Sequence, residues 1–292
     1  MVNNGKPDNP VQKTKPIVKW AGGKRQLLSR MIMVLPEKWN KYFEPFAGGS
    51  AMIVELSNMG RIGKATIGDT NPELVNLYME VRDNLEGLLE ELKSIQFVNE
   101  KESYLSARNR FNAIRGSEES KTERSVLFLY LNRHCFNGLW RVNSSGEFNV
   151  PFGKYSNPSL PGASEIRRFS EMLQDVDIRC SDFETILSDV QPGDFVYLDP
   201  PYEPVSRTSS FTSYTKIGFT PYDQKRLRGM CRKLDNMGAM FMVSNSFSPP
   251  VMELYSEFTI RKVDANRSIN RDSGGRKGTT EILVTNYVPG KV

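Results

Sequence analysis

The densest chemistry in the chain lies in Asp199-Pro200-Pro201-Tyr202, directly after the apolar run Phe195-Val196-Tyr197-Leu198. An aspartate at the carboxyl end of a parallel strand points into the crevice where α/β sheets bind ligands. Two prolines fix φ and remove N–H donors, which leaves carbonyl acceptors in a rigid turn. The Asp199 carboxylate and the Pro200 carbonyl can together hold both protons of an amine. The Tyr202 ring offers a stacking face to the heterocycle bearing that amine. Asp and Pro are also common where a strand simply turns, so the tetrapeptide by itself fits either a turn or an active site.

Three further segments have the same form, an apolar run that ends in ligand-capable residues. Phe43-Glu44-Pro45-Phe46-Ala47-Gly48-Gly49-Ser50 runs into two glycines and then a helix. Glycines there let backbone approach a ligand, although the G-x-G-x-x-G spacing of a pyrophosphate site is missing. Ala65-Thr66-Ile67-Gly68-Asp69 ends in an acid placed to bind ribose hydroxyls, or to cap the helix after Asn71-Pro72. Cys180-Ser181-Asp182-Phe183 repeats the pattern. Asp182 can accept from an adenine amine with Phe183 packed on the ring, or it can cap the next helix. Upstream, Lys19-Trp20-Ala21-Gly22-Gly23-Lys24 lacks the first glycine and the Ser/Thr of a P-loop and also reads as a plain helix start.

These segments need a sheet to position them. Short apolar runs predict strands over 42–47, 65–69, 177–182, 195–199, 239–245, 259–263 and 281–287. Amphipathic spacing predicts helices over 24–35, 50–58, 73–93, 120–133, 222–236 and 250–256. The gap between the second and third strands is too long for an ordinary crossover. It predicts a mostly helical domain over 71–175 inserted into a sheet domain made of 1–70 and 176–292. Residues 1–15 are polar and read as a loose tail.

Composition narrows the function. The 292 residues are 38% hydrophobic and 25% charged, an ordinary globular balance with no apolar run long enough for a membrane span. Three separated cysteines (Cys135, Cys180, Cys231) and a single histidine, His134, argue against a zinc site and against Ser-His-Asp hydrolysis. Free thiols point to a reducing cytoplasm. Net charge is +5, and it is concentrated. Residues 101–171 carry 11 Lys/Arg against 7 Asp/Glu, and 261–278 carry 6 against 2. Two basic zones suit a polyanionic partner.

In order and spacing, 19–24, 43–50, Asp69, Asp182 and 199–202 resemble the motifs of the Dam-type adenine-N6 DNA methyltransferases, which include the methylases of DpnII-like systems. The stretches 132–143 and 146–155 resemble their target-recognition hairpin. The likeness runs from about residue 15 to 287. It implies a Rossmann-like methyltransferase sheet with a final antiparallel strand, plus a helical recognition insertion bearing a β-hairpin. It also implies S-adenosylmethionine as cofactor, S-adenosylhomocysteine as product and no metal. The partner would be double-stranded DNA and no membrane, with the protein a cytoplasmic monomer or weak dimer of a prokaryote or phage. By position, Trp20, Ala21, Gly22, Gly23, Lys24, Phe43, Glu44, Pro45, Phe46, Gly48, Gly49, Asp69, Asp182, Phe183 and Asp199 would form the cofactor pocket. Asp199, Pro200 and Tyr202 would be catalytic. Lys19, Phe136, Asn137, Leu139, Arg141, Asn143 and Pro151 would contact DNA at GATC. Some relatives carry Tyr where this chain has Phe136.

The hairpin residues also make sense on their own terms. Gly138 and Ser145-Gly146 are turn residues, and Arg141 can present a bidentate fork to guanine. Phe136 is suited to wedge into the space left by an extruded base, though an ordinary surface loop has a similar composition. Two other functions fit the same residues. One is an RNA or cytosine-N4 methylase, since the 199–202 geometry serves any exocyclic amine. The other is a DNA-binding protein that keeps the cofactor fold without catalysis.

Overall fold

The computed structural model describes residues 12–24, 26–95, 98–202, 219–265 and 279–289. Of the second basic zone, 266–278 lies outside the described residues. Among those described, seven strands form one sheet in the order β3-β2-β1-β4-β5-β7-β6. β1 (Tyr42–Glu44), β2 (Ala65–Asp69), β3 (Val176–Cys180), β4 (Phe195–Leu198) and β5 (Met240–Ser246) are parallel. β7 (Thr279–Thr285) runs antiparallel to both β5 and β6 (Thr259–Ala265). This is the Rossmann-like sheet with one reversed strand that the motifs imply. The strand order reverses between β1 and β4, and ligands bind such sheets at the carboxyl ends of those strands.

Alternation along the strands builds two layers. Phe43, Val196, Leu198, Phe241 and Val243 pack with Leu227, Cys231 and Leu234 of α9 (Pro221–Met237). Tyr42, Ile67, Phe195, Tyr197 and Met242 face the other way, toward α2 (Ala51–Asn58) and the helices inserted after β2. Those helices are α3 (Pro72–Asp83), α4 (Leu85–Ser94), α5 (Lys101–Ala113), α6 (Lys121–His134) and α7 (Ala163–Leu173). Their apolar residues join the sheet in one continuous core. A buried ion pair, Arg124 Nη2 to Glu73 Oε2 at 2.8 Å, ties α6 to α3. The short helices are α1 (Leu28–Ile32), α8 (Phe183–Leu187) and α10 (Pro249–Leu254).

Several expected boundaries move, for local reasons. β1 stops at Glu44 because Pro45 cannot donate to the ladder and the chain then bends at Gly48 (φ +43°) and Ser50 (φ +55°). The helix expected over 73–93 breaks at Asn84 (φ −134°), whose N–H closes α3 and whose carbonyl opens α4. The helix expected over 24–35 shrinks to α1. α5 and α7 were not anticipated. The tail reading fails at Thr14, which exchanges hydrogen bonds of 2.9 and 3.0 Å with the Asn58 side chain.

The expected hairpin lacks continuous strands. Only the antiparallel bridges Val142↔Phe148 and Cys135↔Phe152 form. α5 braces the second limb from outside. Asn112 accepts from Phe148 N (2.8 Å) and donates to Phe148 O (3.1 Å), while Tyr104 donates to Val150 O (2.8 Å). Asn112 thus satisfies the Phe148 groups that face away from the 141–143 limb, which bonds instead to Glu147 O and Asn149 N.

Candidate active site and recognition face

The turn after β1 is built around a close approach. Tyr78 and Gly68 fix it by hydrogen bonds to Gly48 O (2.5 Å) and from Ala47 N (2.8 Å). A Cβ on Gly48 would lie 2.7 Å from Cδ1 of Trp20, so only glycine lets that indole lie on the backbone. Trp20 itself is held by a tight turn, Gly23 N to Trp20 O at 3.1 Å, with Gly22 at φ +80°. Ala21, Gly22 and Gly23 stay accessible, whereas Phe43, Glu44 and Pro45 lie buried beneath the turn. Glu44 Oε2 accepts from the Tyr42 hydroxyl (2.8 Å) and Ile53 N (3.2 Å), and burial pushes its carboxyl up to about 8.

Asp69, at the end of β2, accepts from Gly48 N (3.1 Å) and Asn71 N (2.9 Å). Burial raises its carboxyl above the ordinary range, and those two amides pull it back down. The capping duty considered for Asp69 falls to Asn71, whose Oδ1 accepts from Glu73 N and Leu74 N. Asp182 does cap its helix, accepting from Glu184 N at 3.0 Å. Arg226 Nη2 adds an ion pair at 2.9 Å, and 41% of the Asp182 side chain stays exposed. Phe46 and Phe183 sit 5.4 Å apart at a 30° tilt, with Phe219 beside both, forming an aromatic slot next to Asp182.

Asp199 leaves the end of β4 into the same crevice. Lys24 Nζ lies 3.1 Å from its Oδ1, and the Ser244 hydroxyl donates to that oxygen at 2.7 Å. Lys24 is 6% exposed and also donates to Gly22 O at 3.0 Å. Its ammonium stands 4.2 Å above the Tyr202 ring, whose hydroxyl donates to Glu281 on β7. Pro200 is buried, while Asp199 and Tyr202 stay partly open. The fold thus gathers Trp20, Lys24, Gly48, Asp69, Asp182, Asp199 and Tyr202 at the carboxyl edge of one sheet. Ser244 and Glu281 belong to the same cluster, and sequence reasoning missed both. Neither belongs to a strand-ending motif: the parallel β4–β5 register sets Ser244 beside Asp199, and the β5–β7 register brings in Glu281.

The residues expected to contact DNA lie outside that cluster. Lys19 and Asn132 exchange two backbone-to-side-chain hydrogen bonds of 2.7 Å, which join the Trp20 turn to the end of α6. Burial, then neighbouring Arg133, lowers the Lys19 ammonium below its usual range. After α6 the chain makes a single 3-10 turn, Phe136–Gly138. Asn137 (φ +55°) and Gly138 (φ +62°) adopt left-handed conformations that lift the Phe136 ring outward, half exposed. Pro151 O accepts from Phe136 N (2.8 Å), and Leu139 leans back on the core. Tyr155, missed by sequence reasoning, accepts from Asn137 N (2.8 Å) and lies 4.5 Å under the Lys19 ammonium. Arg141 donates to Asn149 Oδ1 (2.7 Å) and O (3.2 Å). Asn143 and Glu147 close the loop tip through mutual hydrogen bonds of 2.8 and 2.9 Å.

The sequence profile of the D12 class N6 adenine-specific DNA methyltransferases matches residues 20–269. The chain belongs to that family. A type II methyltransferase of Lactococcus lactis subsp. cremoris is 46% identical, with 96% of this chain and 99% of that one aligned. A type II methyltransferase of Methanocaldococcus jannaschii is 42% identical over 94% of this chain and 99% of its own. The DNA adenine methylase of Haemophilus influenzae is 34% identical over 94% of each. The methyltransferase acts on adenine in DNA, and the methyl donor of its family is S-adenosylmethionine. The crevice fits that donor. The Gly48 turn excludes any Cβ, an acid ends β2, and the partly exposed Phe46 ring of the aromatic cluster beside Asp182 offers a face to a purine. Among the described residues, no helix is long and apolar enough to cross a membrane.

Proposed function

We propose that this DNA adenine methyltransferase transfers methyl to N6 of the adenine in GATC within double-stranded DNA, after extruding that base from the stack. The observation that carries the reading is the turn after β4. It brings a partly open carboxylate and a partly open tyrosine ring, separated by two prolines, to the topological switch point. An adenine inside a duplex cannot reach such a crevice, so the base must leave the helix. Tyr202 stacks on the extruded base, and Asp199 and the Pro200 carbonyl accept its two N6 hydrogens. This localises the nitrogen lone pair for in-line attack. Bound S-adenosylmethionine supplies an electrophilic methyl group. Asp199 acts as acceptor and orienter, because an aryl amine is far too weak an acid to be deprotonated first. The proton leaves after transfer. Acceleration comes from proximity and fixed dipoles.

In this reading, Trp20 to Lys24 and Phe46 to Gly49 line the cofactor pocket over buried Phe43, Glu44 and Pro45. Asp69 binds the ribose, and Asp182 with Phe183 holds the adenine. Residues 71–175 act as the recognition insertion, on a catalytic unit of 1–70 and 176–292. There Lys19, Asn137, Leu139, Arg141, Asn143 and Pro151 meet the duplex, and Phe136 fills the space of the extruded base. The protein works in the cytoplasm of a prokaryote or phage-infected cell as a monomer or weak dimer. Tritium transfer from labelled cofactor tests the assignment. Duplex GATC should accept label far better than any single-position variant, RNA or cytosine-only DNA. Equal transfer to all of them would overturn the GATC assignment.

A further inference from the structure

Among the described residues, β7 is the one strand that opposes the sheet, and its direction delivers Glu281 to the carboxyl edge of β4. Glu281 pairs across the sheet with Ser246 of β5 and Val263 of β6. Its side chain is 13% exposed. One oxygen, Oε2, accepts from the Tyr202 hydroxyl and lies 3.6 Å from Lys24 Nζ. The same ammonium lies 3.1 Å from Asp199 and 4.2 Å over the Tyr202 ring. Lys24 is thus shared by two carboxylates, and one of them also takes the phenol.

We propose that Glu281 is a positioning residue for methyl transfer, holding the Tyr202 ring in the plane against which the target base stacks. The proposal rests on the reading that Tyr202 is the stacking face. A tyrosine at the end of a proline turn is fixed at its Cα but free to rotate about χ1 and χ2. A hydrogen bond from its far end to a buried carboxylate removes that freedom before substrate arrives, which is how binding sites reduce ordering cost. Burial, with the Asp199 and Glu281 charges beside it, pushes the Tyr202 hydroxyl far above its ordinary range. It therefore stays protonated and donating. Because Glu281 touches the ring's hydroxyl rather than the reacting atoms, its loss should lower kcat and leave DNA and cofactor binding largely intact.

Single-turnover and steady-state methylation of Glu281→Ala, Glu281→Gln, Tyr202→Phe and the double variant Tyr202→Phe/Glu281→Ala test this. Glu281→Ala should lose on the order of tenfold in kcat, the weight of one hydrogen bond to a charged group. KM for DNA and cofactor should stay close to that of the unaltered enzyme. Glu281→Gln keeps an acceptor for the hydroxyl and should recover most of the rate. Tyr202→Phe should lose as much as Glu281→Ala, and the double variant no more than either. Additive losses, or a glutamine variant as slow as the alanine one, would overturn the proposal. Asp199→Ala serves as the separate arm. If it retains activity, the reading of the 199–202 turn fails; if it is inactive while Glu281→Ala is fully active, only the role of Glu281 fails.

Discussion

The proposed catalytic crevice and the proposed recognition face are both polar, yet they are organised in opposite ways. In the crevice, each charged group is already engaged by a residue distant in the chain. Lys24 pairs with Asp199 and Glu281, Asp69 holds Gly48 N, and Arg226 holds Asp182. On the recognition face the contacts are mostly local. Arg141 is braced by Asn149, Asn143 by Glu147, and the Phe136 ring is held by none of them and stands half exposed. A site that stabilises a developing charge gains from dipoles fixed in advance. A surface that reads bases needs donors and rings still able to adjust to a duplex. Changes in the crevice should therefore alter chemistry or folding whatever the DNA sequence, and changes on the face should alter sequence choice.

The largest effect should come from the support under the crevice. Glu44 has its carboxyl raised from 4.5 to about 8 by burial. Between those values the folded state binds the proton that the unfolded state has released. The contribution of Glu44 is thus full below the unfolded value and is lost as pH rises toward about 8. The slope is up to about 1.4 kcal/mol per pH unit. Denaturant titrations across that interval should show stability falling with pH, and Glu44→Gln should flatten the slope. An unchanged slope would show that the charge sits elsewhere.

Next in size is Gly48→Ala. It combines a φ of +43° with a Cβ 2.7 Å from the Trp20 ring and should cost about 2 kcal/mol. Thermal melts and cofactor calorimetry should register it equally with or without DNA. A variant that binds cofactor normally would mean that Trp20 can move aside at little cost.

The smallest and most selective effect belongs to Arg141→Ala. A base-reading arginine should cost about 1–3 kcal/mol on the cognate site and relax preference at one guanine. Activity on duplexes already altered at that base pair should hardly change. An equal loss on every duplex with one altered GATC position would assign Arg141 to the phosphates.

What the sequence disclosed follows the same division. β1 to β4 were legible because each is a short apolar run that ends in a motif, β5 by its apolar run alone, and Asp69, Asp182 and Asp199 gathered at the carboxyl edge of the sheet. Ser244 and Glu281 were not legible, since one depends on the register of β5 against β4 and the other on the register of the reversed β7 against β5, which strand composition does not encode. In the insertion, α6 was visible by its long apolar stretch. α5 was hidden because its polar surface surrounds only two buried rings, Tyr104 and Phe111. α7 carried a readable signal, with Ile166, Phe169, Ser170 and Leu173 buried at helical spacing and Glu165 accepting from Gly162 N. The hairpin was expected from the resemblance, with its turn glycines in support, whereas the bracing by Asn112 and Tyr104 comes from a tertiary neighbour.

The most direct test of this division of labour is Asp199→Ala, followed by tritiated-methyl transfer and DNA affinity in the same preparation on GATC duplexes and their single-position variants. Transfer should fall by at least about a hundredfold on every duplex, because the acceptor for the amine is gone. DNA affinity and its sequence preference should remain those of the unaltered enzyme. Near-normal transfer, or a loss confined to particular sequences, would contradict the assignment of chemistry to the turn after β4.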